Sequence, residues 1–466
     1  MAVSERVAVT RVAPARYPAT APYDPSCVYP ERPFDTISIS REWNGVYDAV
    51  RRLLHGLGLD VERYGTPEWN PLGQLLQPGM TVVLKPNFVA SRHPTDGELY
   101  AVITHPSVIR AVADYCWIAL RGHGRIVIAD APQYDCNWRE LMEATGLERV
   151  DELYGGHMEL LDLRPYWSAK RHFASQLQPL PGDPLGTVWV DMAGDSAFAG
   201  MDASRMVGAC YWRHELAYHH TGGRHQYALS RTVLEADLVI SMPKLKTHKK
   251  VGVTLNAKNL VGICTDKNCL PHYRLGSPGE GGDQYPDGLL NPVERALIGL
   301  ERWMYDHLLA PRVRGLEYLH RAMYWLHNHT TRRLGLKVDE DKRALDAGNW
   351  YGNDTAWRTV ADLYAAFSYA LRGRTFSVVD GIVGGEGNGP LAPDAVRTGL
   401  LVAGEDLLAV DIVSAWLMGF DARRLPLYRH LYDASGWDWS VAGQAQRREF
   451  AAHPGWVGHM EAPKCA

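Results

Sequence analysis

Apolar positions along this chain alternate between short β-type runs and stretches with helical spacing. Residues 7–12 predict a first strand, and a Pro-rich link over 14–33 follows. Val46, Val50, Leu53, Leu54 and Leu57 then recur at helical spacing within 46–59. The turn Gln77-Pro78-Gly79 leads into a β-branched run at 81–84, which ends at Lys85-Pro86-Asn87. His105-Pro106-Ser107 predicts the start of a helix over 108–120, and Gly122 and Gly124 stop it before a strand at 125–129. That strand exits at Asp130-Ala131-Pro132, which completes a βαβ pattern. Residues 188–190 read as a further strand, and the apolar run Leu238–Met242, with Ser241 its one polar member, reads as a central one.

From 289 to 371 the pattern changes to long helical periodicity, carried by Val293, Leu297, Leu300, Met304 and Leu308, then Leu316, Leu319, Met323 and Leu326, and later Val360, Leu363 and Phe367. Strands resume at 376–379 and 398–403, and 407–418 predicts an apolar helix capped by Asp406. The expected fold is therefore α/β: a mainly parallel sheet flanked by helices. Its α/β domain comprises residues 1–288 and 372–466, with 289–371 as a helical insertion.

A dense cation group follows the central run. Lys244, Lys246, His248, Lys249, Lys250 and Lys258 lie within a few turns of chain, while Lys85 and Asn87 stand at another strand exit. Ligands of open α/β sheets bind beyond the carboxyl ends of the strands, so these cations point to an anion site, with a solvated basic loop as the alternative. Asn259 and Asn388 add polar groups that suit such a site. After the strand at 376–379 comes Asp380, then five glycines interleaved with Glu386 and Asn388, a composition suited to a backbone nest for phosphate or carboxylate or to a plain turn. The spacing matches neither common phosphate-loop fingerprint.

Asp130, Asp380, Glu386 and Asp411 are the acidic candidates, as a general base or as oxygen ligands of a divalent ion. Asp411 lies inside an apolar segment, where it would pair with a buried cation or cap backbone donors. Cys264, Cys269 and His272 read C-x4-C-x2-H, half of a zinc or iron–sulfur pattern, so an iron–sulfur cluster is not expected, and His272 is the better proton carrier. Gly352-Asn353-Asp354-Thr355 predicts a helix cap on Asp354 or Thr355, or a lid over the crevice.

Net charge is −4 at 466 residues, so no overall basic field exists to hold nucleic acid. No apolar run is long enough to span a membrane, and seven scattered cysteines fit a reducing cytoplasm. Nothing in these patterns specifies an oligomeric state.

Several of these motifs together, LKPN at 84–87, THP at 104–106, ADAP at 129–132, MPKLKTH at 242–248, NAKNLVG at 256–262, GGEGNGP at 384–390 and AVDIVSAWLMGFD at 409–421, resemble the domain of unknown function 362 family. The resemblance assigns no catalytic residues. Many members carry a ferredoxin-like module with four-cysteine motifs, which this chain lacks. The leading expectation is an enzyme acting on a small anionic metabolite bearing phosphate or carboxylate. Lys85, Lys244, Lys246 and Lys258 would hold the anion, His248 or His272 would serve as acid or base, and Asp380 with Glu386 as base or metal ligands. The alternatives are a metal or redox protein using Cys264, Cys269 and His272, and a non-catalytic protein whose insertion docks a partner.

Overall fold

The computed structural model describes residues 6–34, 38–169, 177–208, 213–309, 315–336, 338–432 and 447–463. Cys210 and Cys465 lie outside them. The main sheet is built from β1 (Val7–Arg11), β2 (Thr81–Pro86), β3 (Arg125–Asp130), β4 (Met158–Asp162), β5 (Leu238–Met242), β6 (Lys244–His248), β7 (Gly252–Thr254), β8 (Thr375–Glu386) and β9 (Asp394–Gly404). Its order is β1-β9-β8-β5-β2-β3-β4, with β6 attached along the far half of β8 and β7 paired to β6. From β8 through β5, β2, β3 and β4 every pairing is parallel, and β9 and β1 add an antiparallel margin.

Successive side chains of a strand point to opposite faces, which fixes the layers. Val82 and Leu84 of β2, and Leu238 and Ile240 of β5, join the core beneath helices α1 (Gly45–Gly56) and α2 (Pro106–Leu120). Val83, Val127 and Val239 face the other way. Of the later helices α3 (Pro292–Met304), α4 (Leu316–Arg333), α5 (Ala356–Leu371) and α6 (Leu407–Leu417), the last two cover this second face, through Leu363, Phe367 and Leu371 and through Val410 and Ile412. Helix α5 thus forms part of the sheet's own packing, although its periodicity resembles that of its neighbours in 289–371. Asp406 caps α6 as expected, accepting from Leu408 N at 2.8 Å and Ala409 N at 3.0 Å.

Two local expectations are corrected, and a third strand is found where it is expected. Lys244 to His248 is a fully buried strand and not a loop. Pro243 ends β5, its carbonyl accepts from Asp380 N at 2.9 Å, and the chain resumes beside β8 with a bulge between Lys244 and Lys246. Gly387 and Gly389 follow β8, while Gly381, Gly384 and Gly385 extend it to Glu386 instead of forming a loop. They are small because β6 and its neighbours press against them: a Cβ on Gly381 would meet Leu245 Cδ2 at 2.6 Å, and one on Gly384 would meet Phe450 Cζ at 2.7 Å. Residues 187–191 are a strand, paired with Gln226–Ser230 in a separate two-stranded sheet.

Candidate functional site

Beyond the carboxyl ends of β2, β3 and β6 lies one cavity of about 470 Å³. Its inner wall carries Lys246 and His248 from β6, Lys258 and Asn259 from the helical turn Asn256–Asn259, and Asn87 and Asp130 from the exits of β2 and β3. Lys249, Lys250 and Lys267 add further cationic side chains, and His272 stands opposite. The outer wall comes from 289–371: Glu301, Arg302 and Tyr305 beside α3, and Asp346 further along.

The lysines divide into two kinds. Lys85 is fully buried and paired, its Nζ 3.0 Å from Asp130 Oδ1, 2.7 Å from Pro86 O and 3.3 Å from Asn259 Oδ1. Burial lowers its proton affinity, and the Asp130 carboxylate opposes that shift. Lys244 is also buried, 2.9 Å from Asp380 Oδ2 and 2.8 Å from Tyr17 Oη, and both it and Asp380 lie behind the cavity wall. Asp380 accepts in addition from Tyr17 Oη at 2.6 Å, His105 N at 2.8 Å and Ile382 N at 3.2 Å, so its lone pairs are taken.

Among the described residues Lys246 and Lys258 have no carboxylate partner. Lys246 Nζ donates to two neutral carbonyls, Val102 O at 2.5 Å and Pro390 O at 2.9 Å. Burial, then Lys244 and Lys258, hold its ammonium far below the usual lysine range. The Lys258 ammonium makes no hydrogen bond or ion pair with the described residues, and burial, Lys267 and Lys85 lower its pKa to about 7. His248 is likewise pushed well below the ordinary histidine value, by burial first and then by Lys258 and Lys246. Its Nδ1 accepts from Lys250 N at 3.1 Å, which leaves Nε2 to carry the proton of the neutral ring. His272 has the opposite tautomer, because Nδ1 faces the Leu270 carbonyl at 2.9 Å and must donate, leaving Nε2 basic.

Two devices set this geometry. Asp411 accepts from Asn256 N at 2.7 Å, Ala257 N at 2.9 Å and Tyr428 Oη at 3.0 Å, so it caps the turn that presents Lys258. Burial raises its pKa to about 7 against those donors. Gly262 lies over the Lys85–Asp130 pair, where an added Cβ would strike Asp130 Oδ1 and the end of Lys85. Gly262→Ala is expected to cost about 1–3 kcal/mol by forcing that pair apart, read as a lower denaturation midpoint. An unchanged midpoint would show that the pair can move aside freely.

The four acidic candidates go to four separate tasks: Asp130 to Lys85, Asp380 to Lys244, Asp411 to the helical turn, and Glu386 to Ala451 N at 2.6 Å. Among the described residues no three His, Cys, Asp or Glu side chains converge as metal ligands. Cys264 and Cys269 are buried and free, with sulfurs 3.4 Å apart, and the rings of His220 and His225 lie close by rather than in the cavity wall. Asn388 is exposed and Glu386 half-buried, and both lie outside the cavity wall. Thr355 is the N-cap residue of α5, as expected, but its side chain makes no capping bond; Asn353 supplies that bond, accepting from Thr355 N and Ala356 N. Its Nδ2 donates to the His272 carbonyl at 2.9 Å, so it positions the cavity wall. Tyr17, Lys267, Glu301, Arg302 and Asp346 carry no motif that marks them in the sequence.

No helix of the described residues is long and apolar enough to cross a membrane. A thylakoid-associated protein of Synechocystis sp. is 22% identical over 389 residues, which cover 84% of this chain and 75% of that relative. Residues 82–177 and 199–416, which hold the cavity's strand ends, the Lys258 turn and the capping Asp411, match the family described as Domain of unknown function (DUF362), and the chain belongs to that family.

Proposed function

We propose that this chain is an enzyme acting on a small metabolite bearing phosphate or carboxylate, bound in the cavity at the strand ends. The observation that carries this reading is the pair Lys246 and Lys258: one ammonium buried among neutral carbonyls, the other directed at the cavity without a partner. An anion between them supplies the missing counter-charge, which favours both ammonium forms at once. His248 Nε2–H donates a further hydrogen bond to it, and Asn87 and Asn259 line its approach. His272 Nε2 accepts a proton from the bound molecule, as a general base on the opposite wall. Lys85, Lys244 and Asp380 act from behind, by fixing the ends of β2, β6 and β8.

The free thiols among the described residues support a reducing compartment such as the cytoplasm. Titration with inorganic phosphate, phosphorylated metabolites and small carboxylic acids, followed by calorimetry, tests the reading. Saturable binding of one of these classes is expected, with loss of at least tenfold in affinity for Lys246→Met. Absence of saturable binding across all three classes would overturn it.

A further inference from the structure

Helix α4 has two apolar faces, and among the described residues only one is packed. Leu316, His320, Met323, His327 and Thr331 form a half-buried stripe at i, i+4, i+7, i+11 and i+15, which lies toward α3. His327 Nε2 sits 3.1 Å from Glu301 Oε1 in that contact, and the ring of His320 meets Tyr305 edge-on. The opposite side of the same helix carries Tyr318, Ala322, Trp325 and His329 in one row and Leu319 and Leu326 in the next. Tyr318 is 69% exposed, Trp325 65% and Leu326 58%. Leu334 and Leu336 continue this exposed apolar character past the helix end.

Large apolar side chains in such a row seldom stay in water without a purpose. Their chemistry narrows the occupant. Tyr and Trp have an apolar body and a polar tip suited to the boundary between lipid chains and headgroups, and Trp325 stacks on His329 at 5.0 Å. Arg321 and Arg332 lie beside Trp325 on the same side of the helix, and Arg333 falls between the rows of Tyr318 and Leu326. The helix holds three arginines against one glutamate, on a chain whose net charge is −4. Local positive charge on an acidic protein complements an anionic surface, and the helix is not apolar enough to enter the bilayer core.

We infer that the outer face of α4, through Tyr318, Leu319, Trp325 and Leu326, lies on membranes containing anionic lipid, with the arginines meeting the headgroups. This is peripheral attachment, parallel to the bilayer plane. It is independent of what the cavity binds.

Co-sedimentation of the full chain with vesicles tests it. One set contains phosphatidylcholine alone and the other an equal mixture with phosphatidylglycerol. The chain is expected to pellet with the mixed vesicles and to be released by high salt. Trp325→Glu with Leu326→Glu should lower the bound fraction by at least ~10-fold, whereas Tyr369→Ala, an exposed aromatic on α5, should leave it unchanged. Circular dichroism and the denaturation midpoint confirm that the double variant is folded, since both positions face solvent. Three results would overturn the inference: no pelleting of the wild type, equal pelleting of the double variant, or a wild-type dimer in sedimentation that the double variant dissolves. The last would mean that a second copy covers this face.

Discussion

Asp380→Ala is expected to lower the unfolding free energy by about 3–5 kcal/mol, the cost typical of leaving one member of a buried ion pair alone. Lys244 and Asp380 are both fully excluded from solvent. The carboxylate gathers a phenol, an ammonium and two backbone N–H groups from four places in the chain: Tyr17, Lys244, His105 and Ile382. Alanine removes all four acceptor sites at once, and the ammonium of Lys244 keeps only the Tyr17 hydroxyl. The loss is read by chemical denaturation followed by fluorescence and circular dichroism. Lys244→Met combined with Asp380→Ala should recover much of the stability, since a buried pair replaced by apolar groups of similar volume is often tolerated. A single variant within ~1 kcal/mol of wild type would show that water or a rearranged Tyr17 takes over the carboxylate's task. The same experiment separates a supporting role from a chemical one, because a supporting Asp380 alters stability without altering the pH profile of ligand binding.

Much of this architecture is legible in the sequence, for reasons that particular residues make plain. The strands β2, β3 and β5 are buried on both faces, so Val82, Val83 and Leu84, or Leu238, Val239 and Ile240, form continuous apolar runs that no loop imitates. Their polar exits, Lys85, Asp130 and the lysines after Met242, stand out by contrast. What the sequence hides is pairing in space. Lys85 with Asp130 and Lys244 with Asp380 cancel one another, which removes two of four expected anion-binding lysines from the cavity wall. Residues 244–248 alternate Lys-Leu-Lys-Thr-His with the period of a strand, yet three cations in five positions look like a loop until β8 and the Tyr17 hydroxyl are seen to bury them. The glycines of β8 have the composition of a phosphate nest, but the close approach of Leu245 and Phe450 demands the same residues. Tyr17 sits in a Pro-rich link, and Glu301 and Asp346 belong to a segment whose periodicity signals packing alone, so none carries a local mark of its place at the site. The regular spacing of α4 and α5 is alike as well. Only the packing shows that α5 serves the sheet while α4 keeps an exposed apolar face.

Lys258→Met is expected to reduce the pH dependence of anion binding and to weaken binding by about 10- to 100-fold below pH 7. In the free protein burial, Lys267 and Lys85 bring the Lys258 amine to about 7, so near neutrality it is half protonated. A bound anion favours the ammonium form and raises that pKa. The complex then holds a proton that the free protein lacks, and affinity must fall as pH rises above about 7, by up to tenfold per pH unit. Lys246 is shifted in the same direction and leaves its own slope in the variant, while His248, held well below its ordinary value, stays neutral across this range. Calorimetry in two buffers of different ionisation enthalpy reads the proton uptake directly. Stability gives an independent sign. Between about pH 7 and 10 the unfolded chain binds a proton on Lys258 that the native protein does not, so the wild type gains stability as pH rises through this window, and the methionine variant should lose that gain. A variant that keeps both the binding slope and the stability slope would place the titrating group elsewhere and remove Lys258 from the anion's reach. A variant that loses the slopes but retains full affinity would leave Lys246 and His248 as the anion's holders, with Lys258 as a bystander to charge.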